Sequence, residues 1–393
     1  MDSYRFILVS LTFSISWFDA HAQSNNNFVV THFGAVPGTT KDSGKALESA
    51  WQKACATAGG IVTVPRRTFL VTWATFTGPC NGPTFFHLHG TLIAADTPAL
   101  DDSDYWISFT RVDDLTISGN GVFNGNGALS WSRCRGIAGG CKNLPPMSVT
   151  ISQLTNAVIQ RVRFVNSKLF HLHMYVCHNV KIRNVHISAP DESPNTDGIH
   201  IADSTNIGIT NSHIGTGDDC VSIGEGTANV NISGVRCGPG HGISIGSLGK
   251  YKAARGVDAI NVWNCTFIRT LNGLRIKTWA PSLPTAVNDV TFADIVVEGV
   301  ANPIVIDQFY CPDGSCSRSG QSSVKIKGVK FINVRGSSSQ PTSVSVRCSK
   351  KYPCRGIEFY GLNLTHQGQP TTALCANADH KFGGSNITPA RCS

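Results

Sequence analysis

The stretch Val180-Lys181-Ile182-Arg183-Asn184-Val185-His186-Ile187 decides the fold. Apolar residues alternate with polar ones at 180 and 182, a turn former stands at 184, and the alternation resumes at 185 and 187. Alternation of this kind means strands with one buried face. Asparagine between them takes up the left-handed backbone that turns a corner. The same pattern begins again, in some copies imperfectly, at Leu115, Ala157, Ile207, Val230, Ile260, Val290, Val329 and Ile357. Its fifth position reads Gly119, Arg161, Asn184, Asn211, Gly234, Asn264, Asp294, Asn333 and Gly361, so only Arg161 lacks the usual corner chemistry. Each unit predicts two short strands bent about a corner.

One such unit cannot bury its apolar face alone, so successive units must stack as a solenoid. The expected fold is all-β, a parallel β-helix. A β-sandwich of short alternating strands would not reproduce a turn former at one fixed offset. Asn156, Asn179, Asn206 and Asn229 each stand just before a repeat start, which predicts a column of stacked asparagines at a second corner. Helical periodicity is confined to about Ser43 to Ala58, with Ala46, Leu47, Ala50, Trp51 and Ala54 on one face. This helix is expected to cap the open N-terminal end.

The repeat overrides what length suggests, since 393 residues at about 150 per domain would imply two or three domains. Only 15% of residues are charged, 41% are hydrophobic and 39 are glycine, which excludes a coiled coil, an acidic tail or a disordered chain. The 33 Lys and Arg exceed the 25 Asp and Glu, giving +8, a balance suited to a polyanionic partner.

Arg5 precedes an apolar stretch from Phe6 to Phe18, followed by Ala20-His21-Ala22, a small-residue cleavage pattern. Residues 1–22 therefore read as a secretory signal peptide, and 23–393 as the mature solenoid domain. The stretch is too short, and too interrupted by Ser10, Thr12, Ser14 and Ser16, to span a membrane. Removing it would leave 32 basic against 23 acidic residues, or +9. All 14 cysteines lie beyond the cut, and an even count in an exported chain points to disulfides rather than a metal site. Glycosylation candidates are Asn231, Asn264, Asn363 and Asn386, the last weakened by Pro389.

Four islands combine charge with glycine or a strand: Asn195-Thr196-Asp197, Gly217-Asp218-Asp219, Gly240-His241-Gly242 and Arg275-Ile276-Lys277. Asp197 to Asp219 is 22 residues and Asp219 to His241 is again 22, close to one turn. Residues one turn apart stack about 4.8 Å apart. Arg275 and Lys277 follow one turn later if Gly249 to Gly256 is a loop, and being two apart on a strand they point the same way. Singly, these are a solvated turn or calcium ligand pair, a tight turn and a wet strand face. Together they predict a site for hydrolysing the glycosidic bond of an acidic sugar. One carboxyl must stay protonated to serve the leaving oxygen while another activates water, and crowding of like charges separates their pKa values. Arg275 and Lys277 would grip a substrate carboxylate.

With Cys220 added to the second island, the four motifs resemble, in order, those of the polygalacturonases of glycoside hydrolase family 28. The likeness runs from Phe33-Gly34-Ala35 to Tyr310-Cys311, thins after about residue 335, and around 240–251 is similar to plant members including the pollen type. It implies a single-stranded right-handed β-helix and an enzyme without cofactor or metal. It implies Asp218 as general acid, Asp197 and Asp219 as the pair activating water with inversion, and His241 as a group tuning the acid. Arg275, Lys277 and Tyr310 would bind galacturonate, while Phe309, where asparagine is common, departs from the pattern. The same resemblance implies disulfides Cys220–Cys237, Cys348–Cys354 and Cys375–Cys392.

The expectation is therefore a secreted, extracellular, monomeric polygalacturonase of the cell wall, cutting the homogalacturonan of de-esterified pectin. No nucleic-acid or membrane partner is expected. End attack is slightly favoured over internal attack. The alternatives are a calcium-dependent pectate lyase and a catalytically silent pectin-binding protein. His87 with His89 lacks a third metal ligand, His171 with His173 reads as the polar face of a strand, and Trp131 is expected on a loop over the substrate groove.

Overall fold

All nine corner residues take positive φ, from 48° at Asn211 to 128° at Gly119, in a computed structural model of the chain. It describes residues 26–96, 103–134, 144–250, 255–312, 314, 316, 320–385 and 387–392; residues 1–22, expected to be a signal peptide, and Asn386 lie outside these. Arg161 sits at 51° and Asn184 at 54°. A left-handed arginine costs about 1–2 kcal/mol, and the turns on either side hold it through Arg161 N–H to Arg183 O and Asn120 N–H to Arg161 O.

Seven repeat starts become direct lateral neighbours, Val180, Ile207, Val230, Ile260, Val290, Val329 and Ile357 pairing in unbroken parallel register. The chain is thus an all-β, right-handed parallel β-helix. One face is an eleven-stranded sheet whose order follows the chain from Ala74–Thr77 to Thr372–Ala376. The remaining faces form a network of 24 strands bent over the corners. Inward residues from Val30 to Ala373 make one continuous core, with columns such as Phe292, Phe331, Phe359 and Phe382 at centroid spacings of 5.2, 5.3 and 4.6 Å.

At the second corner Asn156, Asn179, Asn206 and Asn229 also have φ between 55° and 59°. Asn179 Nδ2 donates to Asn156 Oδ1 at 2.6 Å, whereas the Asn206 amide turns to the His178 ring. The helix runs over Gly44–Cys55 and buries Ala46, Leu47, Ala50, Trp51 and Ala54. Trp51 packs on Phe76 and Phe109 and donates to Thr77 O at 3.1 Å, so the helix lies across the first turns as a lid.

The three disulfides implied by resemblance are formed. Cys55–Cys80 and Cys311–Cys316 join them, and Cys134 is also bonded. Disulfide pairing is nevertheless incomplete. Cys177 and Cys265 are free thiols facing the interior, and burial pushes both up to about 11. They behave as small apolar residues.

Two further expectations need correction. His171 is fully buried, not on a polar strand face: its Nδ1 meets Asp197 O at 3.0 Å and its Nε2 accepts from Ser167 N–H. Trp131 lies in a short helix, Ala128–Cys134, where its indole donates to Ser167 O at 3.0 Å and packs close to Gly127. Of the glycosylation candidates, Asn231, Asn264 and Asn363 are exposed.

Candidate active site

Asp197, Asp218, Asp219 and His241 occupy turns that lead into three consecutive strands of the eleven-stranded sheet, Ile199–Ala202, Val221–Ile223 and Ile243–Leu248. Backbone bonds stack these turns: Gly198 N–H reaches Asp219 O, Cys220 N–H reaches Gly242 O, and His241 N–H reaches Asp218 O at 2.8 Å. Such close stacking requires glycine at Gly217, where a Cβ would meet Ser193 O at 2.0 Å, and at Gly240, whose φ is 140°. The Cys220–Cys237 disulfide ties the Asp218-Asp219 turn to the next coil.

The 22-residue spacing therefore becomes proximity. His241 Nδ1 lies 3.0 Å from Asp218 Oδ1, and Asp219 N–H donates to the same oxygen at 2.8 Å. Asn195 Nδ2 donates to Asp218 Oδ2 at 3.3 Å. Asp219, 1% exposed, accepts at Oδ1 from Ser244 Oγ at 2.7 Å and Arg275 Nη2 at 2.6 Å, and at Oδ2 from Lys277 Nζ at 2.9 Å. Arg275 and Lys277 share one side of Asn272–Trp279 as expected, with Ile276 buried between them. Lys277 Nζ also lies 5.1 Å from the Tyr310 ring centre, and Tyr310 meets Trp279 edge-on at 5.6 Å. Both cations are thus engaged by Asp219.

Asp197 is held from the other side. Ser222 Oγ donates to its Oδ2 at 2.6 Å, and His200 Nδ1 is 2.7 Å from that hydroxyl. His200, Ser222, Ser244 and Arg275 form one register column across four strands. Asn195, His200, Ser222 and Ser244 were not among the residues expected to act. The 22-residue steps from His200 to Ser222 and Ser222 to Ser244 carried the signal, but outward serines on strands are too common to stand out.

Asp197 and Asp218 are electrostatically unequal. Burial, then the negative charges of Asp218 and Asp219, push Asp197 well above the usual range, with Ser222 and Lys277 offsetting only part. Burial also pushes Asp218 upward, but the His241 hydrogen bond and charge, with Lys277 and Arg275, outweigh it and bring it down to about 2. Burial would depress Arg275 and Lys277, yet Asp219 keeps both above their ordinary values. Of the two carboxyls, Asp197 is thus the more readily protonated.

Asp218, Asp219 and His241 place donor atoms within 4.8 Å of one another, a spacing a cation could use. The chemistry does not fit one. Both Asp219 oxygens are already taken by Arg275, Lys277 and Ser244, and those two positive charges would repel a metal ion. Cys375 and Cys392, grouped near His380, are bonded to each other.

The sequence pattern of Glycosyl hydrolases family 28 matches residues 55–386. This chain belongs to glycosyl hydrolases family 28. A Zea mays protein named exopolygalacturonase is 44% identical over 369 residues, covering 92% of this chain and 89% of its own. A Gossypium hirsutum polygalacturonase is 38% identical over 395 residues, covering 99% and 95%. An exopolygalacturonase from Thermotoga maritima superposes with a TM-score of 0.74 at 18% identity, covering 91% of this chain and 90% of that one. An endo-xylogalacturonan hydrolase from Aspergillus tubingensis superposes at 0.77 and 23% identity, covering 90% and 100%. These two likenesses establish the β-helix, while the family match makes the chain a glycoside hydrolase.

Proposed function

We propose that this family 28 hydrolase is an exo-acting polygalacturonase, releasing sugar from the end of de-esterified pectin in the cell wall. The observation that carries this reading is the Arg275–Lys277 pair, held in the buried site by Asp219 beside Asp218 and Asp197. A neutral sugar gives no reason to bury two cations there, whereas galacturonate brings the carboxylate they would exchange for Asp219. Relatives named exopolygalacturonase from maize and Platanus acerifolia support the end-acting mode. The disulfides suit an extracellular setting.

Asp218 acts as the general acid, with Asp197 and Asp219 orienting and deprotonating the water and His241 and Asn195 positioning Asp218. His241 chiefly holds Asp218 low, and Lys277 and Arg275 add a smaller part that substrate would remove. A galacturonate carboxylate would neutralise Arg275 and Lys277 and add negative charge nearby, which pushes Asp218 upward toward the protonated form an acid needs. Water then attacks as the acid protonates the departing oxygen, with inversion.

The raised Asp197 favours a second reading in which Asp197 itself donates the proton. An aryl galacturonide with a good leaving group separates the two, because it needs no acid. Rescue of Asp218→Asn by that substrate identifies Asp218 as the acid, and rescue of Asp197→Asn alone identifies Asp197. The proposal as a whole is tested by sizing products after brief digestion of polygalacturonate. Single sugars without ultraviolet-absorbing unsaturation are expected, a ladder would overturn end attack, and unsaturated ends would overturn hydrolysis.

A further inference from the structure

The charge of the chain is not evenly spread. Residues 1–320 hold 23 basic and 23 acidic side chains, while residues 321–393 hold ten basic and two acidic. The entire excess of +8 belongs to the last turns. Lys325 and Lys327 lie exposed on Val324–Ser338, on one face and about 6.6 Å apart along the strand. Lys327 is in register with Arg355 on the next strand. With Lys351 and Tyr352 they line a cavity of about 310 Å³ that has no acidic residue in its wall. Among the described residues none of these four cations lies within 4 Å of a carboxylate, and Glu358 is opposite Lys330 instead. The segment carrying Lys351 follows Thr342–Arg347, two strands beyond Asn272–Trp279 in the eleven-stranded sheet, so the cavity stands apart from the carboxylates.

We infer that these turns form a second, non-catalytic binding site for an acidic polysaccharide, engaging carboxylates of a polyuronate strand away from the bond being cut. The inference rests on the polygalacturonase reading for the identity of the polymer. Exposed ammonium groups suit a row of carboxylates that need attraction without a clamp. Lys351 stands over the half-buried Tyr352 ring, 5.6 Å from its centre, which fixes that ammonium at the cavity wall. Holding one part of a polymer raises the effective concentration of the rest at the cleft.

The test uses the full chain. Affinity for polygalacturonate is measured in an Asp218→Asn background, which leaves the polymer intact, with and without Lys325→Glu/Lys327→Glu. At least tenfold weaker binding is expected at low ionic strength, with the difference shrinking in salt. With Asp218 restored, the double variant should cut a galacturonate trimer with unchanged kcat and KM while its KM for polymer rises. Arg355→Gln should give a smaller loss of the same kind. Unchanged polymer affinity, or a parallel loss on trimer, would overturn the second site. Lysine-dependent polymer binding by a wild-type chain that cannot cut the trimer would instead overturn the cleft reading and leave this site standing.

Discussion

Two columns of this solenoid each recur once per turn and differ in their chemistry. At the second corner asparagines recur from Asn156 to Asn229, and at the entrance to the eleven-stranded sheet Asp197, Asp219 and His241 recur on successive turns. Asparagine carries both a donor and an acceptor, so one can satisfy the next, as Asn179 does Asn156. Carboxylates carry acceptors alone, and stacking them raises one pKa and draws in Arg275, Lys277, Ser222 and Ser244. A repeat thus yields structure where stacked groups satisfy each other and chemistry where they cannot.

The contrast breaks most visibly at Asp218. Asp218→Asn is expected to lower kcat by about 10²–10⁴-fold, with the denaturation midpoint unchanged or raised. Wild-type turnover would remove Asp218 from the acid role. Lys277→Ala should cost about 3 kcal/mol of stability by leaving Asp219 short of a buried partner, and should raise KM for galacturonate oligomers. A variant that denatures like wild type would show the pair to be dispensable for folding.

The third effect is a pH dependence of stability. Burial depresses His171 and His173 to about 4 and His200 to about 3. Each is neutral in the fold and protonates more readily when unfolded. Their stabilisation is therefore complete above pH 6.5 and lost as pH falls toward 4 and then 3. Tm measured from pH 7 to pH 4 should fall, and His173→Phe, which keeps a ring against His200, should make the fall shallower. An identical slope would reject His173 as a contributor. The smallest effect is expected at the corners: Asn184→Ala should cost about 1 kcal/mol with full activity, and Asn184→Gly almost nothing, read from denaturant midpoints.

How legible was this in the sequence? The corner residues and strand register follow from periodicity, because a turn former at a fixed offset has few other meanings. Asp197, Asp219 and His241 come together for the same reason. Periodicity says less about side chains that act through a neighbour. Ser222, Ser244 and His200 look like ordinary outward residues until the carboxylates they hold are seen. It also misjudges loops between strands: His171 reads as polar, yet the incoming turn buries it against Asp197 O. Cys177 and Cys265 show that cysteine parity cannot tell a thiol serving as core from one awaiting a partner.

A stack of parallel strands has two raw ends, each a template for one more strand. Here Gly44–Cys55 lies over the first, and at the last Asn363–His366 doubles back on Gln369–Pro370 while Cys392, bonded to Cys375, closes beside Ala373. An architecture that could in principle grow without limit is thus cut to a fixed length. The same cross-β geometry that would seed a fibril is retained inside, and among the described residues the strand Ala378–Gly383, paired on one side with Cys354–Tyr360, is the outermost rung of its face.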